Sequence, residues 1–303
     1  MSLELYKQMV LIRVLEEELQ KLCDIGEGAD LHFSRGQEAI SVGVMAALRP
    51  TDYVVGHHRT IAHALAKGVP LKPLVAEVLG RPGGLSQGRA GEMHLSDPTH
   101  RFMFSFQLVG TCVPVAAGLA WAVKNYKKTD DIVVVFHGDA ATSNGQWHEG
   151  LNIAAVQKVP LLLICENNGL AGNVTSEYYL PTRCVSERMR GYGLTGAVVD
   201  GNRVDGVMAA AQGAAQIVRE EGRCFMLECM TTRLSKHKQG QGDIRTAEEL
   251  AELAKRDPLL YEEHRLGIDP ERKAQLLAEA ESQVRVAIDA AQLAPSPTFG
   301  GPQ

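Results

Sequence analysis

Two uninterrupted apolar segments, each ending in a polar cluster, constrain the fold of this chain more than any other feature. The segments are IVVVFHGD at 132–139 and PLLLICENN at 160–168. Apolar runs of this length, without alternating polar residues, are typical of strands that are buried on both faces of a parallel sheet. Segments with the apolar spacing of helices alternate with them along the chain. The pattern predicts an α/β fold with a doubly wound parallel sheet.

The rest of the chain continues this alternation. Further strands are predicted in TDYVVGHH (51–58), AVVDG (197–201) and CFMLECM (224–230). Helices are predicted at 3–23, 36–50, 60–80, 110–127, 146–158, between the last two strands, and at 247–264 and 270–292. A glycine-rich loop at 80–100 and a mobile, basic loop at 232–246 are expected, with a frayed tail from Pro295.

Composition limits the classes of function. The 303 residues carry a net charge of −5 and are 45% apolar, which suits a globular protein and excludes global disorder. Nucleic-acid binding is not expected, because phosphate neutralisation needs a basic face. The charged N-terminal segment and the absence of a run of ~20 apolar residues predict neither a signal peptide nor a membrane span. The six scattered cysteines form no CxxC pair, so we expect buried reduced thiols and a cytoplasmic protein.

The polar clusters at the two strand ends are the main candidates for a site. They are Gly138-Asp139-Ala140-Ala141-Thr142 and Glu166-Asn167-Asn168-Gly169. Ligands of such sheets bind at the carboxyl ends of the strands, and Asp and Asn supply the hard oxygens that suit magnesium or calcium. The N-terminus of the helix after Asp139 attracts phosphate, so the pattern indicates a diphosphate held through magnesium. The residues alone leave open that Asp139 caps this helix and that the two Asn form turns.

These clusters resemble the thiamine-diphosphate signature, and other segments resemble one branch of that superfamily. The branch is the alpha subunit of two-component 2-oxo-acid dehydrogenases of the pyruvate, branched-chain and acetoin types. The matching segments occur in the family's order over residues 5–265: Gly36-Gln37-Glu38-Ala39, His58-Arg59, Met93-His94, Val109-Gly110, Glu149 with Asn152, Glu166-Asn167-Asn168, Val199-Asp200-Gly201 and Thr232-Arg233 with His237. The resemblance implies the thiamine-diphosphate-binding fold, with the diphosphate-binding domain at 1–265 and a C-terminal helix and tail at 266–303.

The resemblance also implies ligands for Mg²⁺ and thiamine diphosphate. The metal ligands of the family correspond to Asp139, Asn168 and the main-chain carbonyl of Leu170, with Gly138 and Ala140 beside them at the cofactor. Octahedral magnesium would then also take two diphosphate oxygens and a water.

The family's basic and catalytic residues correspond to positions in three other segments. Its diphosphate-binding arginine corresponds to Arg59, next to the candidate catalytic His58. Its active-site loop corresponds to Arg233, a cofactor-binding residue, and His237, which can bind the cofactor and exchange a proton. Val109 corresponds to the residue whose backbone contacts the aminopyrimidine.

A partner subunit is part of the same expectation. Thiamine diphosphate needs a carboxylate on its aminopyrimidine, and in this family a pyrimidine-binding beta subunit supplies that glutamate, so Glu38 is expected to be structural or interfacial. We expect an α2β2 heterotetramer, with the small-residue helix at 110–123 at a subunit interface. The implied reaction cleaves a bond next to a carbonyl and passes the acyl unit to a lipoyl acyltransferase. A carboligase or ketol transferase, and a non-catalytic scaffold for a beta subunit, are the alternatives.

Departures from the family's motifs leave the substrate open between acetoin, pyruvate and branched 2-oxo acids. The usual Arg-x-His-Gly ends here in Ile61-Ala62, and the usual Gly-Asp-Gly ends in Ala140. The segment before Val109 and the loop after Arg233 also differ, which leaves the acyl acceptor open. Many of the 30 glycines fall in the 80–91 loop and the strand-end turns, and we expect them to form loops around the cofactor.

Overall fold

The computed structural model describes residues 2–27 and 31–295. The strands in these ranges, in chain order, are β1 (Tyr53–His57), β2 (Phe102–Phe106), β3 (Val133–Gly138), β4 (Leu161–Asn167), β5 (Leu170–Ala171), β6 (Val174–Thr175), β7 (Thr195–Asp200) and β8 (Phe225–Met230). The α-helices are α1 (Ser2–Asp24), α2 (Glu38–Ala47), α3 (Ile61–Ala66), α4 (Leu71–Val78), α5 (Cys112–Ala122), α6 (Gly145–Gln157), α7 (Val204–Glu221), α8 (Ala247–Ala254), α9 (Pro258–Leu266) and α10 (Pro270–Leu293).

Six strands form one parallel sheet in the order β2-β1-β3-β4-β8-β7. The predicted α/β fold with a parallel sheet is confirmed. Strands β5 and β6 form a separate antiparallel pair directly after β4. In the central register Gly138 lies opposite Glu166, so the two polar clusters leave the sheet side by side at its carboxyl edge.

The apolar strands supply two cores, one on each face of the sheet. Val134 and Phe136 of β3 pack in the layer that contains α1, α2, α7 and α10. Val133 and Val135, which alternate with them, pack against α5 and α6 on the other face. A central strand with helices on both faces has no polar face, which is why these runs lack the alternation of an exposed strand.

The C-terminal helix belongs to the first of these layers. Leu276, Val284 and Ile288 of α10 lie in the same hydrophobic cluster as Leu5 and Met9 of α1. The predicted domain boundary after residue 265 stays a prediction. Most of the tail that was expected to fray lies outside the described residues.

Three local details differ from the sequence-based prediction. Strand β2 was not predicted, because it is an edge strand with an irregular burial pattern. The predicted helix at 60–80 is divided into α3 and α4 at Gly68, whose φ of +98° suits only glycine. The predicted helix at 247–264 is divided at Asp257, whose side chain caps α9 just before Pro258.

The glycine-rich loop is organised by one buried carboxylate. Glu77 Oε2 accepts from the main-chain N–H groups of Ser86 (2.6 Å) and Gly88 (2.9 Å). Its Oε1 accepts from the N–H groups of Ala90 (2.7 Å) and Gly91 (3.2 Å). The side chain is fully buried, so it replaces the water that these amides would otherwise bind. This loop folds around Glu77, and the 80–91 segment does not line the cavity described below.

Two further expectations concern the thiols and the membrane. Cys112, Cys165, Cys224 and Cys229 are buried, and burial raises the pKa of the Cys112 thiol to about 12. Over the described ranges, every helix is too short or too polar to span a bilayer.

Candidate active site

A cavity of about 300 Å³ opens at the carboxyl ends of β1, β3 and β4. Among its lining residues are nine of the predicted site residues, which lie up to 179 positions apart in the sequence: His58, Arg59, Val109, Gly138, Asp139, Ala140, Asn168, Leu170 and His237. Gln37, His57 and Glu166 also line it. Arg233 is the predicted site residue that does not line it. The cavity is therefore built by the sheet topology, because each strand delivers its next few residues to the same edge.

One side of the cavity presents oxygen atoms. Asp139 is buried, and its Oδ2 accepts a hydrogen bond of 2.6 Å from the Tyr179 hydroxyl. Burial raises the pKa of the Asp139 carboxyl to about 6, against the hydrogen bond from Tyr179, which lowers it. The side-chain oxygen of Asn168 accepts from the main-chain N–H of Leu170 at 3.0 Å. A carboxylate, an amide oxygen and a neighbouring main-chain carbonyl are ligands of the kind that Mg²⁺ takes.

The alanine at the family's second glycine fits this turn. Ala140 lies in a short 3-10 turn at Asp139–Ser143. The φ angle of Ala140 is not positive, so a side chain at this position causes no backbone strain.

The opposite side of the cavity is basic. Arg59 is buried, and its Nη1 donates to the carbonyl of Phe33 at 2.8 Å. Its Nη2 donates to the carbonyl of His237 (2.9 Å) and lies 3.0 Å from His237 Nδ1. Burial lowers the pKa of Arg59 to about 10. Within the described residues no carboxylate lies at ion-pair distance from Arg59, although Glu92, Glu166 and Glu16 are near enough to favour its charged form. The guanidinium is therefore suited to bind an anion.

Five histidines form a cluster next to this arginine, and only two of them were predicted as site residues. His32 lies 5.0 Å from His58 and 5.2 Å from His237 between ring centroids. His57 lies 5.1 Å from His58 and 4.9 Å from His63. Burial, followed by the charge of Arg59, lowers the pKa of His237 to about 4. Burial and the neighbouring His57 and Arg59 hold the pKa of His58 well below its usual range, so both imidazoles are neutral near pH 7.

A buried carboxylate joins two of these histidines beneath the cavity. Glu166 Oε2 lies 2.7 Å from His57 Nε2, and its Oε1 lies 2.9 Å from His63 Nε2. The three side chains have the spacing of a metal-binding group. His57 Nδ1 accepts from the main-chain N–H of Arg59 at 3.1 Å, so the His57 proton is on Nε2 and points at Glu166. Hydrogen bonds thereby satisfy Glu166 and both ring nitrogens of His57, whereas the buried His63 Nδ1 has no hydrogen-bond partner among the described residues.

The loop after β8 lies against the segment at 31–37. Leu234 N donates to Arg35 O at 2.9 Å, and Gln239 N donates to Leu31 O at 2.8 Å. A Cβ on Gly36 would lie 2.3 Å from the carbonyl oxygen of Thr232, and the φ of Gly36 is +95°, so the family's GQEA glycine is needed for this approach. Arg233 is buried here, with Nη2 donating to Gly172 O at 2.8 Å. It supports a cavity-lining glycine, and the predicted mobility of this loop stays a prediction.

Buried carboxylates hold the segment at 31–37 from beneath. Glu92 Oε1 accepts from His32 N at 2.8 Å, and Glu16 accepts from Ser34 N at 2.9 Å. Glu38 accepts from Gly36 N at 2.8 Å and from Arg13 Nε at 2.6 Å. Burial is the main reason why the pKa of Glu16 and the pKa of Glu92 are both raised to about 8.

Sequence reasoning placed Glu166 in a candidate strand-end cluster without giving it a role, and it missed His32, His57, His63 and Tyr179 as parts of this site. His57 directly precedes the predicted His58 in the sequence, so the two adjacent histidines could have indicated that His57 also belongs to the site. His32 and Tyr179 come close because the segment at 31–37 and the turn after β6 fold over the strand ends, and His63 comes close through the position of α3. No spacing in the sequence shows these approaches.

Comparison with known proteins assigns the chain to a family. The family model of the dehydrogenase E1 component matches residues 6–298. The chain is 35% identical to the alpha subunit of the acetoin:2,6-dichlorophenolindophenol oxidoreductase of Bacillus subtilis over 240 residues, which are 79% of this chain and 72% of that protein. It is 34% identical to the pyruvate dehydrogenase E1 component subunit alpha of Zymomonas mobilis over 302 residues, 97% of this chain and 85% of that protein. It is 31% identical to the chloroplastic pyruvate dehydrogenase E1 component subunit alpha-3 of Arabidopsis thaliana over 308 residues, 98% of this chain and 72% of that protein. The chain therefore belongs to the dehydrogenase E1 component family, and the resemblance seen in its sequence is confirmed.

Proposed function

We propose that this chain is the alpha subunit of a thiamine-diphosphate-dependent 2-oxo-acid or acetoin dehydrogenase. One observation carries the proposal: a single cavity is lined by the buried Asp139 carboxylate, by the half-buried Asn168 and Leu170, and by the buried Arg59, which has no ion-pair partner among the described residues. Such a site suits a diphosphate bound together with a divalent cation. Relatives named for acetoin and for pyruvate both match the chain, so either substrate class is part of the proposal.

The residues fit the cation and the diphosphate. Asp139, Asn168 and the carbonyl of Leu170 would hold Mg²⁺, because a buried carboxylate with a raised pKa gains most from a neighbouring cation. Gly138 and Ala140 would contact the diphosphate beside it. Arg59 would bind a diphosphate oxygen.

The histidines would then exchange protons near the reacting carbon. When bound, thiamine diphosphate supplies a carbon nucleophile that also acts as an electron sink for cleavage next to a carbonyl. His237 Nδ1 faces the donor-only guanidinium of Arg59, so its proton is on Nε2. His58 and His237 are neutral near pH 7 and can therefore accept a proton. Arg233 would hold this loop and reach the cofactor only after a rearrangement.

A beta subunit would complete the site. Val109 lines the cavity, and Val109 and the preceding Leu108 have 46% and 69% of their surface exposed. Helix α5 continues from this point, and its outer face carries Gly118 and Trp121, followed by the exposed Tyr126. We name Gly118, Trp121 and Tyr126 the α5 face. A helix that is apolar nearly all round needs a covering partner, and the partner that brings the activating glutamate must approach the same edge.

The docking proposal has a direct test in coexpression with the beta subunit. Trp121→Glu is expected to prevent copurification of an α2β2 complex, because it places a charge in an apolar contact. Leu293→Glu, at another exposed apolar residue on α10, is the matched control. Normal assembly of the Trp121→Glu chain would show that the α5 face is not part of the interface.

The cofactor proposal is tested by calorimetry on the α–β complex. Wild type should bind thiamine diphosphate only with Mg²⁺, and Asp139→Asn should weaken this binding by roughly 100-fold or more, since a buried ion loses its charged partner. Asp289→Asn, at an exposed position of α10, should leave it unchanged. Binding by Asp139→Asn at wild-type affinity contradicts the metal assignment. No Mg²⁺-dependent binding by wild type would support the scaffold alternative.

The substrate is tested with the same complex. Pyruvate, acetoin and branched 2-oxo acids are supplied with an artificial electron acceptor, and product is then measured with a lipoyl acyltransferase in its place. Turnover with the lipoyl carrier supports the dehydrogenase. Carbon–carbon ligation without it supports a carboligase, which the altered loop after Arg233 allows.

A further inference from the structure

We infer that Gln37 is a positioning residue that fixes which atom of the Asn168 amide faces the cavity. The inference rests on the proposed function, because it concerns the proposed Mg²⁺ ligand. It assigns a role to a cavity-lining side chain to which the proposed function gives none.

The starting point is Glu166, whose Oε2 lies 2.7 Å from His57 Nε2 and whose Oε1 lies 2.9 Å from His63 Nε2. His57 is already required to donate to it, because its other ring nitrogen accepts from Arg59 N. Glu166 is therefore a fixed acceptor in a fully buried position.

Gln37 lies between this acceptor and Asn168. Its Nε2 is 3.3 Å from Glu166 Oε2, so the NH₂ group of Gln37 must point at Glu166. The other end of the same amide, Oε1, accepts from Asn168 Nδ2 at 2.8 Å. Gln37 is fully buried, so water cannot take the place of either partner. Glu166 thus fixes the orientation of the Gln37 amide, and Gln37 in turn fixes the orientation of the Asn168 amide.

The orientation of Asn168 is confirmed independently from its other side. Leu170 N donates to Asn168 Oδ1 at 3.0 Å. A flipped Asn168 amide would set its NH₂ against the Leu170 N–H and its oxygen against Gln37 Oε1. Both hydrogen bonds would become contacts between like dipoles.

The consequence is chemical. An amide can coordinate a cation only through its oxygen. Asn168 Nδ2 donates to Gln37, and one lone pair of Asn168 Oδ1 accepts from Leu170 N. The second lone pair of Oδ1 is therefore the position on the Asn168 amide that is available to a cation. Gln37 thereby selects the ligating orientation before a metal arrives, which is the role of outer residues around a metal site.

Two substitutions at Gln37 separate this role from simple packing. Gln37→Met has similar length and no hydrogen bonds, and it should weaken Mg²⁺ binding to the α–β complex, measured in the presence of excess thiamine diphosphate, by roughly 10-fold. Gln37→Lys keeps a donor toward Glu166 but also turns a donor toward Asn168. It reverses the polarity, so we expect a larger loss than for Gln37→Met. Gln283→Met, at an exposed position of α10, is the matched control.

The readouts are Mg²⁺ titration by calorimetry and thermal unfolding of the metal-free complex. A purely structural Gln37 would lower the melting temperature and leave the Mg²⁺ affinity of the folded complex within about 2-fold of wild type; that result overturns the inference. If Gln37→Lys does not assemble, Gln37→Met alone decides. Asp139→Asn distinguishes the two proposals, because wild-type Mg²⁺ binding by that variant refutes the site itself, whereas its loss with an unaffected Gln37→Met refutes only the positioning role.

Discussion

Replacement of Glu77 by glutamine should be severe, although the two side chains have the same shape. Each carboxylate oxygen of Glu77 accepts two main-chain N–H groups of the glycine-rich loop, at 2.6–3.2 Å. Glutamine exchanges one oxygen for an NH₂ group, so two buried amide donors would face another donor. An unsatisfied buried group costs ~1–3 kcal/mol, which gives ~2–6 kcal/mol for Glu77→Gln.

The assay is thermal unfolding of the assembled protein together with limited trypsin digestion. A loss of ~2–6 kcal/mol corresponds to a fall in Tm of roughly 3–9 °C for a chain of 303 residues. The Arg89–Ala90 bond should also become cleavable, because Ala90 N loses its acceptor in one of the two amide orientations. Glu279→Gln, at an exposed position on α10, is the control. A Tm within about 1 °C of wild type, with the bond still protected, would refute the reasoning.

Three further predictions concern buried groups near the site. Glu16 and Glu92 have a pKa near 8 when folded against an ordinary value of 4.5, so between these pH values the folded chain holds protons that the unfolded chain has lost, and stability falls as pH rises. Glu92→Gln should reduce this slope by about 1.4 kcal/mol per pH unit, as measured by urea unfolding from pH 5 to 8; an unchanged slope contradicts it. Arg13→Met removes the ion-pair partner of the buried Glu38 carboxylate and should lower the free energy of unfolding by ~3–5 kcal/mol in the same assay. An unchanged free energy of unfolding would show that Glu38 has another charged partner. Ile61→His restores the family's residue, but Ile61 is fully buried in the core, so we expect ~2 kcal/mol of destabilisation and no gain in cofactor affinity by calorimetry; tighter binding would contradict this placement.

The central sheet was predictable because its strands are buried on both faces. β3 and β4 pack between two helical layers, and that environment requires the continuous apolar runs seen in the sequence. β2 was missed because an edge strand has one neighbour and an incomplete cover, so Phe102–Phe106 carries no run of this kind. The breaks at Gly68 and Asp257 are local events that interrupt otherwise helical patterns.

The candidate site was predictable where it depends on strand ends. Asp139 and Asn168 come together because β3 and β4 are neighbours in register, and motif order supplied Arg59 and His237. The supporting residues were not predictable. Glu166 reads as part of a strand end, and its contacts with His57 and His63 depend on how α3 returns beneath β1, a tertiary arrangement that leaves no spacing in the sequence.

The neutral histidines around Arg59 have a thermodynamic consequence. Burial keeps His58 and His237 uncharged near pH 7, although the site is suited to a polyanion. An anion at Arg59 favours the imidazolium form, so each ring that gains charge takes a proton from the solvent. Cofactor loading is then linked to proton uptake, and its calorimetric heat will change with the ionisation enthalpy of the buffer. Because burial keeps these histidines neutral before the anion binds, the affinity of the pocket for the anion depends on pH.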